Sequence, residues 1–170
     1  MYLIVRRSAV SLLFALWLEF FYKFGATFDP HNFVGSILIY SMYLLLFHAL
    51  IVHFLVKRVR TILIIAGFIG LMAEWFMIGN APWINPNAFQ PGMFVFHAVY
   101  PVLGLVFIKG GYRKYVQKRM SQIFIIAGIF CCLGFLIPHE FLRFAWFIWL
   151  PLIPYFISFF MLFFQKTLQK

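Results

Sequence analysis

Residues 33–56 read FVGSILIYSMYLLLFHALIVHFLV and are followed at once by Lys57-Arg58-Val59-Arg60. The stretch contains no Asp, Glu, Lys or Arg. It is long enough to cross the hydrocarbon core of a bilayer, which takes about 20 residues. A basic cluster directly after an apolar run is typical of the cytoplasmic end of a transmembrane helix. The stretch therefore predicts a membrane-spanning helix that reaches the cytoplasm at Lys57.

The composition of the whole chain extends this interpretation. Of its 170 residues, 65% are hydrophobic and 11% are charged, whereas a soluble domain has about 45–50% apolar and about 25% charged residues. A water-soluble fold of this size could not bury so much apolar surface. The Lys and Arg residues that give the net charge of +10 lie in clusters between apolar runs. We therefore expect membrane lipids and no nucleic acid as partners. Residues 1–170 are predicted to form a single transmembrane bundle.

Five further apolar runs accompany the first, which predicts an all-α integral membrane protein with six transmembrane helices. The runs at 93–108 and 121–137 are short, and each is expected to gain a turn from its flanks. No small-residue cleavage pattern follows the run at 8–28, so it is interpreted as a retained span and not as a signal peptide. The six predicted spans are 8–28, 33–56, 61–79, 93–108, 121–137 and 144–164.

The Lys and Arg residues predict the orientation of the six spans. Twelve of the fourteen lie at one set of span ends, and only Lys23 and Arg143 lie elsewhere. The positive-inside rule places those ends, and with them both termini, in the cytoplasm. We therefore expect a multi-pass protein of a cytoplasmic (plasma or inner) membrane. The twelve residues are Arg6, Arg7, Lys57, Arg58, Arg60, Lys109, Arg113, Lys114, Lys118, Arg119, Lys166 and Lys170.

An internal repeat is predicted by two ungapped matches. Lys57-Arg58-x-x-x-Ile62-x-Ile64-Ile65-Ala66-Gly67 recurs as Lys118-Arg119-x-x-x-Ile123-x-Ile125-Ile126-Ala127-Gly128. A Pro-x-x-Phe element recurs at Pro30, Pro86 and Pro138. Parallel repeats of this kind occur in transporter folds. The pattern predicts three tandem helical hairpins, at about 6–56, 57–108 and 118–165, each turning at a Pro-x-x-Phe corner on the outer side.

Glu19 is the most costly side chain of the first span, because an unpaired carboxylate in a membrane costs at least about 2.5–3.5 kcal/mol. Lys23 lies one helical turn further on and would neutralise it as an ion pair. Ionisable groups inside a membrane are functional candidates by default. Glu19 and Lys23 are therefore predicted to contribute to a ligand-binding site, with a structural ion pair as the alternative.

Glu74 lies on the third span with Gly67 and Gly70 on the same face of the helix. Small residues let a neighbouring helix approach closely, so this face is expected to point into the bundle. The loop that follows contains Asn80 and Trp83 and carries no charge. We predict that Glu74, Asn80 and Trp83 bind a ligand, with an ordinary interfacial turn as the alternative for the loop.

His97 shares a stripe of the fourth span with Pro101 and Gly104, and it is the sixth predicted ligand-binding residue. Its chemistry suits a proton shuttle, a metal ligand or a hydrogen-bonded packing residue. The sequence has no closely spaced His or Cys ligands of the usual metal-binding kind, and no metal site is predicted. Catalytic residues and cofactors stay unassigned.

Three classes of function agree with these features. The first is a membrane carrier or binding protein that holds a small or amphipathic, lipid-like ligand in a polar site in the outer half of the bundle. The second is an integral membrane enzyme that acts on a lipid or isoprenoid with Glu and His as acid and base. The third is a non-catalytic subunit that joins partner membrane subunits in a larger complex. The sequence alone does not decide whether the protein is an enzyme.

Overall fold

The computed structural model describes residues 1–26, 31–86, 88–108 and 114–164 of the chain. Within these ranges the regular structure consists of six helices, and no strand occurs. The helices are α1 (Tyr2–Phe20), α2 (His31–Phe47), α3 (Val59–Ala73), α4 (Gln90–Ile108), α5 (Lys114–Gly134) and α6 (Glu140–Trp149, continued through a 3₁₀ turn at Leu150–Leu152 by Ile153–Phe164).

Three of the helices change to π-helical geometry near a polar residue. α1 continues as a π-helix over Phe21–Ala26, and α3 continues as one over Glu74–Ile78. α2 has its π-helical segment at His48–Val52 and ends with His53–Leu55. A π-helical turn inserts one extra residue and is found frequently at functional sites. In α2 and α3 the first residue of the segment is itself ionisable, His48 and Glu74.

Five helices in the described part of the chain are long and apolar enough to cross a membrane, as expected of a membrane protein. The first helix carries Arg6, Arg7, Glu19 and Lys23 and is not one of the five. The predicted all-helical fold is confirmed for the described residues, and five of its helices have the length and composition of membrane spans. Six spans, and the side on which the termini lie, stay predictions. The five are Phe33–Leu55, Val59–Met77, Gln90–Ile108, Lys114–Gly134 and Glu140–Phe164.

Helix α4 lies at the centre of the bundle. In its apolar window 72% of the residues are buried, compared with 22% for the window of α2. α1, α3 and α6 pack around it, and glycines bring the backbones close together. A Cβ at Gly104 would lie 2.1 Å from the carbonyl oxygen of Arg7, and one at Gly67 would lie 2.6 Å from the ring of Phe94. Such contacts hold membrane helices together through van der Waals packing.

Three helices extend beyond the predicted spans. α1 begins at Tyr2, before the predicted start at residue 8, and α4 begins at Gln90, three residues before the predicted start, as expected for a short run that gains a turn from its flank. Residues 114–120, which precede the predicted span at 121–137, form the first turns of α5. They are helical because Val116 and Met120, four residues apart, are buried against the bundle while the basic side chains stay exposed.

The repeat stays a prediction. Pro30 lies outside the described residues, so the three Pro-x-x-Phe corners cannot be compared as a set. One parallel between the hairpins is visible in the helix ends. Glu19 lies two residues before the π-helical end of α1, and Glu74 is the first residue of the π-helical end of α3.

Candidate functional site

A buried pair of side chains joins α3 to α4. His97 Nε2 lies 3.1 Å from Glu74 Oε1. The Glu74 side chain is 13% exposed and the His97 side chain is 7% exposed. A hydrogen bond to an ionised partner is stronger than one between neutral groups, and in an apolar interior an unpaired partner would be costly. The two residues are therefore one structural unit, although they lie 23 positions apart in the chain.

Gly70 makes this pair possible. A Cβ at Gly70 would lie 2.2 Å from the Cβ of His97 and 2.5 Å from its Nδ1 atom. Only the absence of a side chain lets the imidazole come this close to α3, with Nε2 directed to the carboxylate one turn further on. The prediction that the Gly67, Gly70 and Glu74 face points into the bundle is consistent with these contacts.

The loop after α3 is bonded to the carboxylate of Glu74. Gly79 ends the helix with φ +83°, a left-handed conformation that favours glycine. The chain then turns so that the Asn80 backbone N–H donates to the Glu74 carbonyl oxygen at 3.0 Å. The Asn80 side chain donates to Glu74 Oε2 at 2.8 Å. Each Glu74 carboxylate oxygen thus has one partner, His97 or Asn80.

Gln90, at the start of α4, holds the other end of the same loop. Its Nε2 donates to the Asn80 carbonyl oxygen at 2.8 Å, and its Oε1 accepts from Trp75 Nε1 at 2.6 Å. Three polar side chains, Trp75, Asn80 and Gln90, therefore close the loop over Glu74, and we call them the clasp. Sequence reasoning identified Asn80 and missed Trp75 and Gln90, because only the folded loop shows that Gln90 reaches back to residue 80.

The second carboxylate, Glu19, is bonded to α2. Ser36 Oγ donates to Oε2 at 3.2 Å, and the Tyr40 hydroxyl donates to Oε1 at 3.1 Å. Lys23 lies with its Nζ 5.5 Å from the centroid of the Tyr22 ring. It acts on Glu19 electrostatically, and the direct bonds of Glu19 are those from α2. The alternative of a structural Glu19–Lys23 ion pair therefore does not account for the hydrogen bonds that Glu19 accepts from Ser36 and Tyr40.

The two carboxylates belong to one polar region. Glu19 and Glu74 act on each other electrostatically, and Lys23 acts on both. Aromatic rings fill the space around them: Tyr100, which is 1% exposed, lies 5.5 Å from the Tyr40 ring and 5.7 Å from the His97 ring between centroids. Four of the six predicted site residues, Glu19, Glu74, Asn80 and His97, are thus connected through direct bonds or shared ring contacts.

Trp83 lies at the rim and not in this region. Its side chain is 66% exposed, and its ring stacks edge-on against Trp75 at 5.5 Å. Trp83 therefore covers the Trp75 side of the clasp toward solvent. Lys23 contributes its charge to the region but makes no direct bond to either carboxylate. Among the described residues, no three His, Cys, Asp or Glu side chains come together as metal ligands would.

A second polar cluster, between α1, α2 and α4, was missed by sequence reasoning. Ser11 Oγ lies 3.1 Å from His48 Nε2, donates to the Pro101 carbonyl oxygen at 2.9 Å and accepts from the Gly104 N–H at 3.1 Å. Because Ser11 has one hydrogen and gives it to Pro101, His48 Nε2 must carry the hydrogen that bridges to Ser11. Ser11 and His48 are both 0% exposed. The spacing of Pro101 and Gly104 indicated that this face of α4 is special. The sequence contained no signal that Ser11 of α1 would bond to it.

An open groove of about 540 Å³ lies apart from both clusters, between the end of α1 and the start of α6. Glu140 and Arg143 lie on its wall together with Phe141 and Phe144. The Glu140 side chain is exposed to solvent.

Comparisons with known proteins found no match to this chain among family models, curated proteins or solved structures. What the polar region does is inferred below from its own contacts, burial and charge.

Proposed function

We propose that this protein is a small membrane carrier or binding protein that holds a small or amphipathic, lipid-like ligand beside the Glu74–His97 pair. The observation that carries the proposal is the 3.1 Å bond between these two side chains, nearly buried between two apolar helices. Replacing a buried ionic pair with apolar residues is often neutral or stabilising. An ion pair at this position is therefore better explained by binding than by stability.

The clasp supports binding because it couples the loop to the carboxylate. Asn80 bonds to Glu74 Oε2 through its side chain, and Gln90 holds Asn80 from the other side. A ligand group that donates a hydrogen bond to Oε2 would take the place of the Asn80 amide. The loop would then be released from Glu74, so that entry of the ligand and opening of the loop become one event.

The surroundings suit a ligand with a polar, hydrogen-bond-donating head and an apolar body. Glu19 and Glu74 offer acceptors, and Lys23 is the cation that acts on both. The rings of Phe96 and Tyr100 lie 5.0 and 5.7 Å from the His97 ring between centroids, and they provide the apolar wall. A lipid-like molecule entering from the bilayer fits this combination.

The enzyme alternative has less support from the geometry. An acid–base histidine held by a carboxylate through Nε2 would use Nδ1 on its substrate. In this structure Nδ1 is directed at Gly70 of α3, where even a methyl group would collide with it. The alternative of a subunit in a larger complex rests on the small loops alone, and it becomes an outcome of the test below.

We also propose six spans, with both termini in the cytoplasm and the clasp on the outer side of a plasma or inner membrane. The support is the distribution of Lys and Arg. Single cysteines at Asn85 and at Gln117, in a chain without Cys131 and Cys132, test it on intact cells. The cysteine at 85 should react with an impermeant maleimide directly, and the one at 117 only after permeabilisation. Labelling of both from outside would contradict the topology.

The test of the function is native mass spectrometry of the protein purified in a mild detergent. The wild type should carry an adduct of one defined mass, and Glu74→Gln, which keeps the shape and removes the charge, should lose at least nine-tenths of it. Glu140→Gln, at an exposed acid outside the polar region, is the matched control and should keep the adduct. An adduct retained in Glu74→Gln would contradict the proposal, and a wild type found only with protein subunits would favour the third class of function.

A further inference from the structure

The loop after α3, at residues 79–86, has a polar inner side and an apolar outer side. The Asn80 side chain turns inward and donates to Glu74 Oε2 at 2.8 Å. Trp83 and Ile84 are 66% and 63% exposed. A loop that lies in water normally carries polar residues on its outer surface, and exposed apolar patches mark contact with another molecule or a membrane. The outer side of this loop therefore suits apolar surroundings.

The backbone of the turn at 82–86 leaves few hydrogen-bond donors without a partner. The N–H groups of Ile84 and Asn85 both donate to the Ala81 carbonyl oxygen, at 2.9 and 2.7 Å. Pro82 and Pro86 have no N–H group at all. Backbone at membrane depth must find its partners within the protein, because water is scarce there. The turn comes close to this requirement, which a loop in water does not have to meet.

Charge and length place the loop at the edge of the hydrocarbon. Residues 75–108 contain no Asp, Glu, Lys or Arg. The apolar helix before the loop, Val59–Met77, has 19 residues, which at about 1.5 Å each give about 28 Å, close to a hydrocarbon core of about 30 Å. Phe76 and Met77, at the end of this helix, are 73% and 79% exposed. The loop thus begins where the hydrocarbon ends, and tryptophan is enriched at that depth.

We propose that the turn at 82–84 is inserted into the lipid headgroup layer, so that the clasp opens toward lipid and not toward water. A bilayer fits this surface better than a protein partner, because the exposed apolar residues continue without a charge from the end of α3 into the loop. Asn85, which is polar and exposed, lies at the water side of the turn.

This position defines a route for the ligand, and the route rests on the proposed function. A lipid-like molecule in the same leaflet would pass Trp83 and displace the Asn80 amide from Glu74 without crossing water. Trp83 packs on Trp75 of the clasp at 5.5 Å between ring centroids. Lipid contact at the turn is thus next to the side chains that close the loop over the carboxylate.

Electron paramagnetic resonance tests the depth of the turn. Single cysteines at Ile84, Asn85 and Lys114, in a chain without Cys131 and Cys132, carry a nitroxide, and the protein is reconstituted in phosphatidylcholine vesicles. Oxygen concentrates in the bilayer, and a nickel chelate stays in water. The ratio of oxygen to nickel collisions at position 84 should be at least threefold that at position 114, an exposed lysine position at the start of α5. Position 85 should lie between the two.

Equal ratios at positions 84 and 114 would overturn the proposal. A label at 84 that neither oxygen nor nickel reaches would also overturn it, because a second copy of the chain would then cover the turn. The route has its own test in native mass spectrometry. Ile84→Glu should lower the adduct at least threefold, and the matched control Ile84→Leu should keep it. An adduct retained in Ile84→Glu but lost in Glu74→Gln would overturn the route and leave the ligand site in place.

Discussion

Gly70→Ala is expected to separate α3 from α4 at the candidate site. The added Cβ would lie 2.2 Å from the Cβ of His97, whereas ordinary contact begins at 3.4 Å, so the two atoms must move apart by about 1.2 Å. Both atoms are attached directly to a backbone, and a change of side-chain conformation cannot relieve the contact. Overpacking of this kind costs about 1–3 kcal/mol. The shift also acts on the 3.1 Å bond between His97 and Glu74.

Gly35→Ala is the matched control for this substitution. Gly35 lies on α2, and a Cβ there would meet no atom within 4 Å, so alanine should be neutral or stabilising by up to about 1 kcal/mol. Thermal unfolding in detergent should show Gly70→Ala several degrees below the wild type and Gly35→Ala at or above it. Gly70→Ala should also lose the adduct. Equal unfolding temperatures for the two variants would refute the close packing inferred at Gly70.

Two further substitutions test the clusters that hold the helices and the loop. Ser11→Ala removes the common partner of three buried groups and should destabilise the protein by more than about 1 kcal/mol. Ser41→Ala is the control and should cost less, because the Ser41 hydroxyl bonds only within its own helix. Equal unfolding temperatures for the two variants would contradict the Ser11 cluster. Asn80→Ala should raise hydrogen exchange and proteolysis in the loop, whereas Asn85→Ala, which loses one exposed 3.4 Å bond, should leave both nearly unchanged; the reverse order would contradict the clasp.

The sequence predicted the elements that depend on local patterns. Apolar runs bounded by basic residues gave helices, since length and composition decide that class. The same applies to α3, where Gly67, Gly70 and Glu74 share a face at helical spacing. Small residues allow close approach, and a costly carboxylate is expected beside them. Glu74 and His97 were both predicted to bind the ligand. Neither their direct bond nor its length could be predicted from the sequence.

The contacts that the sequence could not predict are those between distant segments. Ser11 and the Gly104 N–H are 93 residues apart and meet because α1 packs against α4. The periodicity of a helix shows which face is buried but not which other helix covers that face. Similarly, Glu19 was paired with Lys23 on its own helix, because only neighbours at i,i+4 can be inferred from a sequence. Its direct partners, Ser36 and Tyr40, come from α2.

The hydrogen bond between Glu74 and His97 is the claim on which the binding proposal rests, and nitrogen NMR of ¹⁵N-histidine-labelled protein in bilayers at pH 9 measures it directly. Because Nε2 faces the carboxylate and Nδ1 faces Gly70, the His97 signals, assigned as those lost in His97→Gln, should show hydrogen on Nε2 and none on Nδ1. Glu74→Gln should shift the Nε2 resonance, and Glu140→Gln should leave it in place. Hydrogen on Nδ1, or a His97 spectrum indifferent to Glu74→Gln, would contradict the account.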